Sequence, residues 1–153
     1  MINTILLPFQ VVLDSTKKHI MENRYNVRDS WLKGMYIYTA LGAGLYGLGI
    51  ILIPENFAGL LNLPHQEPIS YGIIGSVYLA FGIISILGLK SPLKFVPILL
   101  LQMSYKIIWF LGVILPLVFK GQLPQYAIIN IVIFASFIIG DIIAIPFKYI
   151  FEK

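Results

Sequence analysis

One lysine, Lys106, lies inside a long apolar run, LLLQMSYKIIWFLGVILP. It lies about eleven residues, or roughly 16 Å of helix rise, from the inner end of that run, which is near the midplane if the run spans a bilayer. An ammonium at that depth costs at least ~2.5 kcal/mol, so we expect it to face the bundle or a wet cavity and to have a partner. Gln102 lies one turn earlier on the same face, and Tyr105 and Trp109 are adjacent.

Asp141 is the one acid within any of the apolar runs. It lies about six residues, or ~9 Å, from the inner end of the fourth run, so its height differs from that of Lys106 by ~7 Å. A lysine side chain is about that long, and Lys106 can therefore reach inward to Asp141. We predict a ligand-binding cluster of Lys106, Gln102, Tyr105, Trp109 and Asp141, with no catalytic residue and no metal ligand assigned.

Four interpretations of the pair of ionisable residues stay open. It is a structural ion pair or hydrogen-bonded cluster that fixes helix register, or a site for an anionic ligand, lipid headgroup or transported solute with Lys106 as the cation. Alternatively, it moves protons beside a quinone or lipid in a membrane enzyme or redox subunit. The fourth is a Schiff-base lysine for an aldehyde cofactor, although four spans are few for enclosing a chromophore.

Other chemistry finds little support in the residue types. The chain has no cysteine, which excludes disulfides, thiolate metal sites and thiol catalysis. His19 and His65 each lack a second ligand at metal-binding spacing. The basic residues flank apolar runs and form no helix face suited to phosphate tracking, so nucleic acid is not an expected partner. We predict no cofactor.

The elements that carry these residues follow from composition. Of the 153 residues, 58% are apolar and 12% are charged, far from globular usage. Four continuous apolar runs, at about 35–53, 70–89, 95–119 and 125–147, match the ~20 residues that a spanning helix needs. Strands are excluded because membrane strands alternate and must close into a barrel. The sequence predicts an all-α integral membrane protein, a four-helix up-down bundle.

Residues 1–33 are predicted to form a cytoplasmic or interfacial segment ahead of the transmembrane domain, residues 34–153. Within it, the run Ile5–Leu13 is too short to span and is expected to lie in the interface. Between the first two spans, ENFAGLLNL mixes apolar and polar residues in a pattern typical of a short interfacial helix, bounded by Pro54 and Pro68.

Orientation follows from the basic residues. Nine of them flank the spans on the side of the termini, whereas the opposite side has Lys120. The positive-inside rule therefore predicts that both termini are cytoplasmic. We expect the protein to lie in the inner (plasma) membrane.

Small residues predict how the spans pack, because close approach of helices in lipid requires them. We expect the first, second and fourth spans to pack tightly through three stripes: Thr39, Ala43 and Gly47; Gly72, Ser76, Ala80 and Gly88; and Ser136, Gly140 and Ala144.

The segments LGAGLYGLGIILIPENFAGLLNLP and YGIIGSVYLAFGIISILG resemble DoxX-like small four-helix bacterial membrane proteins, over roughly residues 35–147. The functions of that group are mostly unassigned, with some members linked to quinone-coupled oxidation complexes, and no catalytic residue carries over to this chain.

The working hypothesis from sequence is a non-enzymatic accessory or oligomer-forming membrane subunit with a polar cluster centred on Lys106. Membrane lipids are expected partners, together with a second copy or another protein of a membrane complex. The first alternative is a transporter or channel component that binds an anionic ligand or lipid at the cluster. The second alternative is a quinone-linked membrane redox subunit.

Overall fold

A computed structural model describes residues 27–152 together with Val11, Val12 and Thr16. Four of its helices are long and apolar enough to cross a membrane: α1 (Asp29–Leu52), α3 (Pro68–Lys90), α4 (Pro92–Phe119) and α5 (Ala127–Ala144). Two short helices, α2 (Pro54–Leu60) and α6 (Phe147–Phe151), follow α1 and α5. The predicted all-α, multi-pass membrane fold is confirmed. The interfacial segment expected at residues 5–13 lies outside the described residues, apart from Val11 and Val12.

The ends of the spans differ from the apolar runs for local reasons. Helix α1 begins at Asp29 rather than Met35, since the Asp29 carboxylate lies in the positive first turn and pairs with Lys33 at 2.7 Å. Helix α5 ends at Ala144 because Pro146 disfavours helical backbone at the preceding residue, and Ile145 is extended (φ −71°, ψ 123°).

A short helix forms between the first two spans, as the sequence predicts. Pro54 occupies the first turn of α2, where a missing N–H has no cost. The Phe57 ring then folds back over Gly49 and meets the Tyr46 ring edge-on, with centroids 5.0 Å apart. Leu60 stays 77% exposed, which leaves an apolar side chain at this end of the bundle.

Helices α1 and α3 form the closest helix pair. Gly44 and Gly82 face each other, and a Cβ built on Gly82 would overlap the Gly44 backbone. A Cβ on Gly47 would likewise meet the backbone of Gly75 and Leu79. Glycine at these positions therefore allows main chain to approach main chain, as in other tightly packed membrane helices.

The predicted stripe on α1 is the buried one, but the predicted stripe on α3 is largely wrong. Ser76 and Ala80 are exposed, and Gly72 has open space where a side chain would stand. The contact face instead runs through Gly75, Gly82 and Gly88. Helix α3 is rich enough in small residues to carry two stripes, and only the partner helix selects between them.

The four spans form a ring in chain order. Helix α1 packs against α3 and α5, and α4 closes the ring between α3 and α5 while also touching α1. The expectation that the fourth span packs with both the first and the second is therefore only half right, because α5 packs mainly against α1 and α4.

The two halves of the bundle are packed differently. We call the end that holds Asp29, Ser91 and Ala144 the terminal end, and the end that holds α2 and residues 120–126 the loop end. The terminal half contains a continuous core of apolar side chains from α1, α4 and α5, with Ile145 just beyond: Leu32, Met35, Tyr36, Val96, Leu99, Met103, Phe137, Ala144 and Ile145. This core closes the bundle at the terminal end.

Toward the loop end, α4 leaves the bundle. After Trp109 the helix widens into a π-helical segment, Phe110–Ile114, in which the Leu115 N–H bonds the Phe110 carbonyl five residues back. Pro116 explains the widening, since it has no N–H and its ring would clash with the carbonyl four residues earlier. Within residues 27–152, the segment 110–119 has little backbone contact with the other helices, and Ile114 is its one buried residue. The loop half of the bundle is consequently open.

Candidate functional site

Four polar side chains are fully buried where the closed and open halves meet. Thr39, Gln102 and Asp141 are 0% exposed and Lys106 is 1% exposed. The Gln102 amide donates to Thr39 Oγ1 at 3.1 Å and to the Asp141 carboxylate, at 3.1 Å to Oδ2 and 3.4 Å to Oδ1. One amide group thus joins α4 to both α1 and α5.

Lys106 lies at the middle of the 28-residue helix α4. Among the described residues, its ammonium forms no ion pair with Asp141, so the direct contact considered from sequence is absent. Nζ instead lies against three rings, 4.3 Å from the centroid of Phe137, 4.5 Å from that of Tyr105 and 5.4 Å from that of Phe134. Ring faces carry negative charge density and partly replace water around a cation.

A cavity of about 190 Å³ adjoins this ammonium. It lies between α1 and α5, and α3 and α4 contribute two tyrosines and the lysine to its wall. Its lining is mainly aromatic: Tyr38, Gly42, Ala43, Tyr46, Tyr78, Tyr105, Lys106, Asn130, Ile133, Phe134 and Phe137. At its terminal side, the Tyr38 ring stacks on Phe137 at 4.2 Å and the Tyr38 hydroxyl hydrogen-bonds Ser136 Oγ at 2.8 Å.

A second cavity of about 430 Å³ continues toward the loop end. The two share part of their walls: Tyr46, Tyr78, Tyr105, Asn130 and Phe134. The second cavity extends past Trp109 to Gln66 and Tyr126. Together they run from Lys106 at mid-bundle to the loop end, and we call this combined space the aromatic cleft.

The rings of the cleft hold one another in place. Tyr46 meets Tyr78 edge-on at 5.3 Å, and Tyr78 contacts Tyr105 at 6.2 Å. Phe134 meets both Tyr105, at 6.0 Å, and Trp109, at 4.9 Å. Edge-to-face contacts of this kind are the favoured aromatic geometry, so the wall is a defined surface.

The charge presented to the cleft is positive. Of the described residues that line either cavity, Lys106 alone carries a formal charge. Asp141 and Gln102 lie behind it, toward the terminal end, and contribute nothing to the lining. An ammonium in an apolar, aromatic space can bind an anion or a strong hydrogen-bond acceptor. Within the described ranges, no three His, Cys, Asp or Glu side chains converge to hold a metal ion.

The sequence-predicted site residues separate into two groups. Lys106, Tyr105 and Trp109 line the aromatic cleft, whereas Gln102 and Asp141 form the hydrogen-bonded cluster behind it. Sequence reasoning missed the other walls, chiefly Tyr38, Tyr46, Tyr78, Asn130, Phe134 and Phe137. The sequence does indicate one of these walls, because Asn130, Phe134 and Phe137 follow one another at the spacing of a single face of α5.

Comparison with known proteins assigns neither a family nor a function, because no family model, curated protein or solved structure matches this chain. The resemblance to the DoxX-like proteins therefore stays a prediction, and the chemistry of the aromatic cleft has to carry any functional conclusion.

Proposed function

We propose that this chain is a membrane protein that binds a small anionic ligand in its aromatic cleft, as a transporter or receptor component, with Lys106 as the cation. The observation that carries the proposal is an ammonium, buried at mid-bundle and unpaired with the acid behind it, on the wall of an aromatic cavity.

The energetics favour a ligand over a purely structural role. A buried cation without a direct ion pair is costly, and the ring contacts together with the longer-range attraction of Asp141 offset only part of the cost of removing it from water. A structural pair would be expected to bring the ammonium and carboxylate together. Here the Gln102 amide binds Asp141 instead, and the ammonium stays at the cavity wall. An incoming anion would supply the missing partner.

The direction of access is part of the proposal. Basic residues gather at the terminal end, where Arg28, Lys33, Lys90, Lys94 and Lys148 lie. The positive-inside rule favours a cytoplasmic position for this end, and we propose that the protein lies in the inner (plasma) membrane. The cleft then opens toward the outer side, while the apolar core of the terminal half separates it from the cytoplasm. Such a site would take up its ligand from the outer aqueous phase or the outer leaflet.

The site favours the ligand-binding alternative over the hypothesis of a non-enzymatic accessory subunit. A scaffold would require the small-residue contacts of α1 and α3 but no unpaired lysine and no open cleft. The quinone-linked alternative remains a prediction without a specific supporting contact.

The test is a ligand-binding titration on the full chain in nanodiscs. Each carboxylate is compared with its neutral amide, benzoate with benzamide and heptanoate with heptanamide. Fluorescence of Trp109, which lines the cleft, reports binding in a Trp31→Phe background. We expect at least one carboxylate to bind at least tenfold more tightly than its amide.

The matched variants are Lys106→Met and Lys120→Met, since Lys120 is an exposed lysine at the loop end. We expect Lys106→Met to abolish the preference for carboxylate and Lys120→Met to retain it. If carboxylates and amides bind equally to the parent chain, or if Lys106→Met keeps the preference, the proposed function is wrong.

A further inference from the structure

The cavity beside Lys106 is walled by rings to an unusual extent. Six of its eleven lining residues are aromatic, and Ile133 is the one branched aliphatic side chain among them. The bundle has many leucines and isoleucines available, yet apart from Ile133 these face outward, fill the core or line the second cavity, as Leu63, Ile74, Ile114 and Leu117 do. The lining is therefore specific to this cavity and does not follow from composition.

We infer that the ligand of the aromatic cleft is a planar aromatic monocarboxylate, in preference to an alkyl-chain acid or a phosphate. This inference rests on the proposed function and names the ligand class for the same site. Three properties of the cleft support it: the chemistry of its walls, its size and its charge.

Aromatic walls bind a planar ring more favourably than a methylene chain. An aromatic ligand gains offset-stacked and edge-to-face contacts with the rings of Tyr105, Phe134 and Phe137, whereas an alkyl chain gains only dispersion, which aliphatic walls would supply equally well. A rigid ring also loses less conformational freedom on binding than a flexible chain does.

The cavity volume matches one ring with a small substituent. A protein cavity of about 150 Å³ lined by apolar residues accommodates benzene. The cavity here, at about 190 Å³, has room for a ring and a carboxylate group. Substituents or a second fused ring would extend into the adjoining cavity of about 430 Å³, toward Trp109.

The charge of the cleft matches a monoanion. Lys106 supplies a single positive charge, and Asp141 lies outside the cavity lining with its carboxylate held by the Gln102 amide. A ligand carboxylate at the cavity floor would thus meet the ammonium first. A dianionic phosphate would retain a second charge in an apolar space without a partner, which is unfavourable.

The deciding experiment compares three acids of equal size on the full chain in nanodiscs: benzoate, cyclohexanecarboxylate and heptanoate, each with seven carbons and one carboxylate. Trp109 fluorescence in the Trp31→Phe background measures the dissociation constants. We expect benzoate to bind at least tenfold more tightly than heptanoate and several-fold more tightly than cyclohexanecarboxylate.

If heptanoate or cyclohexanecarboxylate binds as well as benzoate, the aromatic preference is overturned while the proposed anion site stands. If no carboxylate is favoured over its amide, the anion site itself fails. Inorganic phosphate is titrated in parallel, and tighter binding of phosphate than of benzoate would also overturn the inference.

A variant pair locates the preference in the cleft. Phe134→Leu removes a ring shared by both cavities but keeps an apolar side chain, and Phe119→Leu is its control because Phe119 is 82% exposed and lines neither cavity. We expect Phe134→Leu to weaken benzoate several-fold and to leave heptanoate unchanged. Equal losses for both acids, or none for benzoate, would contradict the inference. If Phe134→Leu fails to fold, the ratios of the dissociation constants of the three acids on the parent chain still test the aromatic preference.

Discussion

Among the described residues, the Gln102 amide is the only side-chain hydrogen-bond donor to the buried Asp141 carboxylate. We predict that this hydrogen bond is a main determinant of how α4 is positioned against α5. The perturbation is a double-mutant cycle: Gln102→Leu, Asp141→Leu and the two together, with Gln122→Leu as a control because Gln122 is an exposed glutamine outside the spans.

The magnitude follows from the geometry. Gln102→Leu leaves the Asp141 carboxyl, 0% exposed, without a donor and also removes the 3.1 Å bond to Thr39. A buried polar group deprived of its partner costs about 1–3 kcal/mol, and more when charged, so we expect a loss of roughly 2–4 kcal/mol in unfolding free energy. Hydrogen bonds between membrane helices reach about 1.7 kcal/mol in double-mutant cycles. Because the 3.1 Å contact is to a carboxylate, we expect a coupling energy in the upper part of that range, about 1.5 kcal/mol.

The assay is reversible unfolding in mixed detergent micelles, monitored by far-UV circular dichroism. The double variant should be more stable than the sum of the single losses predicts, because it leaves neither group unsatisfied. A coupling energy below about 0.3 kcal/mol, or a Gln102→Leu variant as stable as Gln122→Leu, would refute the reasoning that this amide positions α4.

Three further predictions concern other parts of the chain. Gly82→Ala should destabilise the bundle by about 1–3 kcal/mol, since its Cβ would overlap the Gly44 backbone. Gly72→Ala is the control, because its Cβ meets open space, and it should be neutral or stabilising. Unfolding in detergent measures the difference between the two variants. Lys106→Met should raise the unfolding free energy by about 2 kcal/mol while removing carboxylate binding, and a loss of stability would contradict an unpaired lysine. The backbone amides at the start of α3 donate to the Glu67 carboxylate and lower its pKa. The stability that this cap adds is therefore present at neutral pH and is lost as pH falls through the lowered pKa. Protection of the Ser70 amide from hydrogen exchange should decrease over that pH range, and Glu67→Gln should not show this decrease.

The sequence was sufficient for features that depend on one helix and the bilayer. Run length and hydropathy determine the four spans, and the cost of an exposed ammonium predicts that Lys106 faces inward. Proline also acts locally: Pro54 starts α2, and Pro146 ends α5 before the apolar run does. These features needed no knowledge of neighbouring helices.

Features that depend on the rotation of one helix against another were not predictable in the same way. The heights of Lys106 and Asp141 along their helices follow from residue counting, but whether they face each other depends on the azimuth of both helices. In the structure the Gln102 amide, one turn nearer the terminal end, meets the carboxylate first. The choice between two small-residue stripes on α3 was undetermined for the same reason.

We expect the open cleft to depend on the tight contact between α1 and α3. Glycines bring α3 close to α1 along the whole pair: Gly75 packs on Ile50 toward the loop end, Gly82 on Gly44 near the middle and Gly88 on Tyr36 toward the terminal end. Helix α3 packs mainly on α1 and has at most weak backbone contact with α5, and the α4 segment after Trp109 likewise has little backbone contact with the other helices. A side chain inserted between α1 and α3 should push α3 toward the cleft. Gly82→Ala is therefore expected to weaken benzoate binding as well as stability, although Gly82 lines neither cavity.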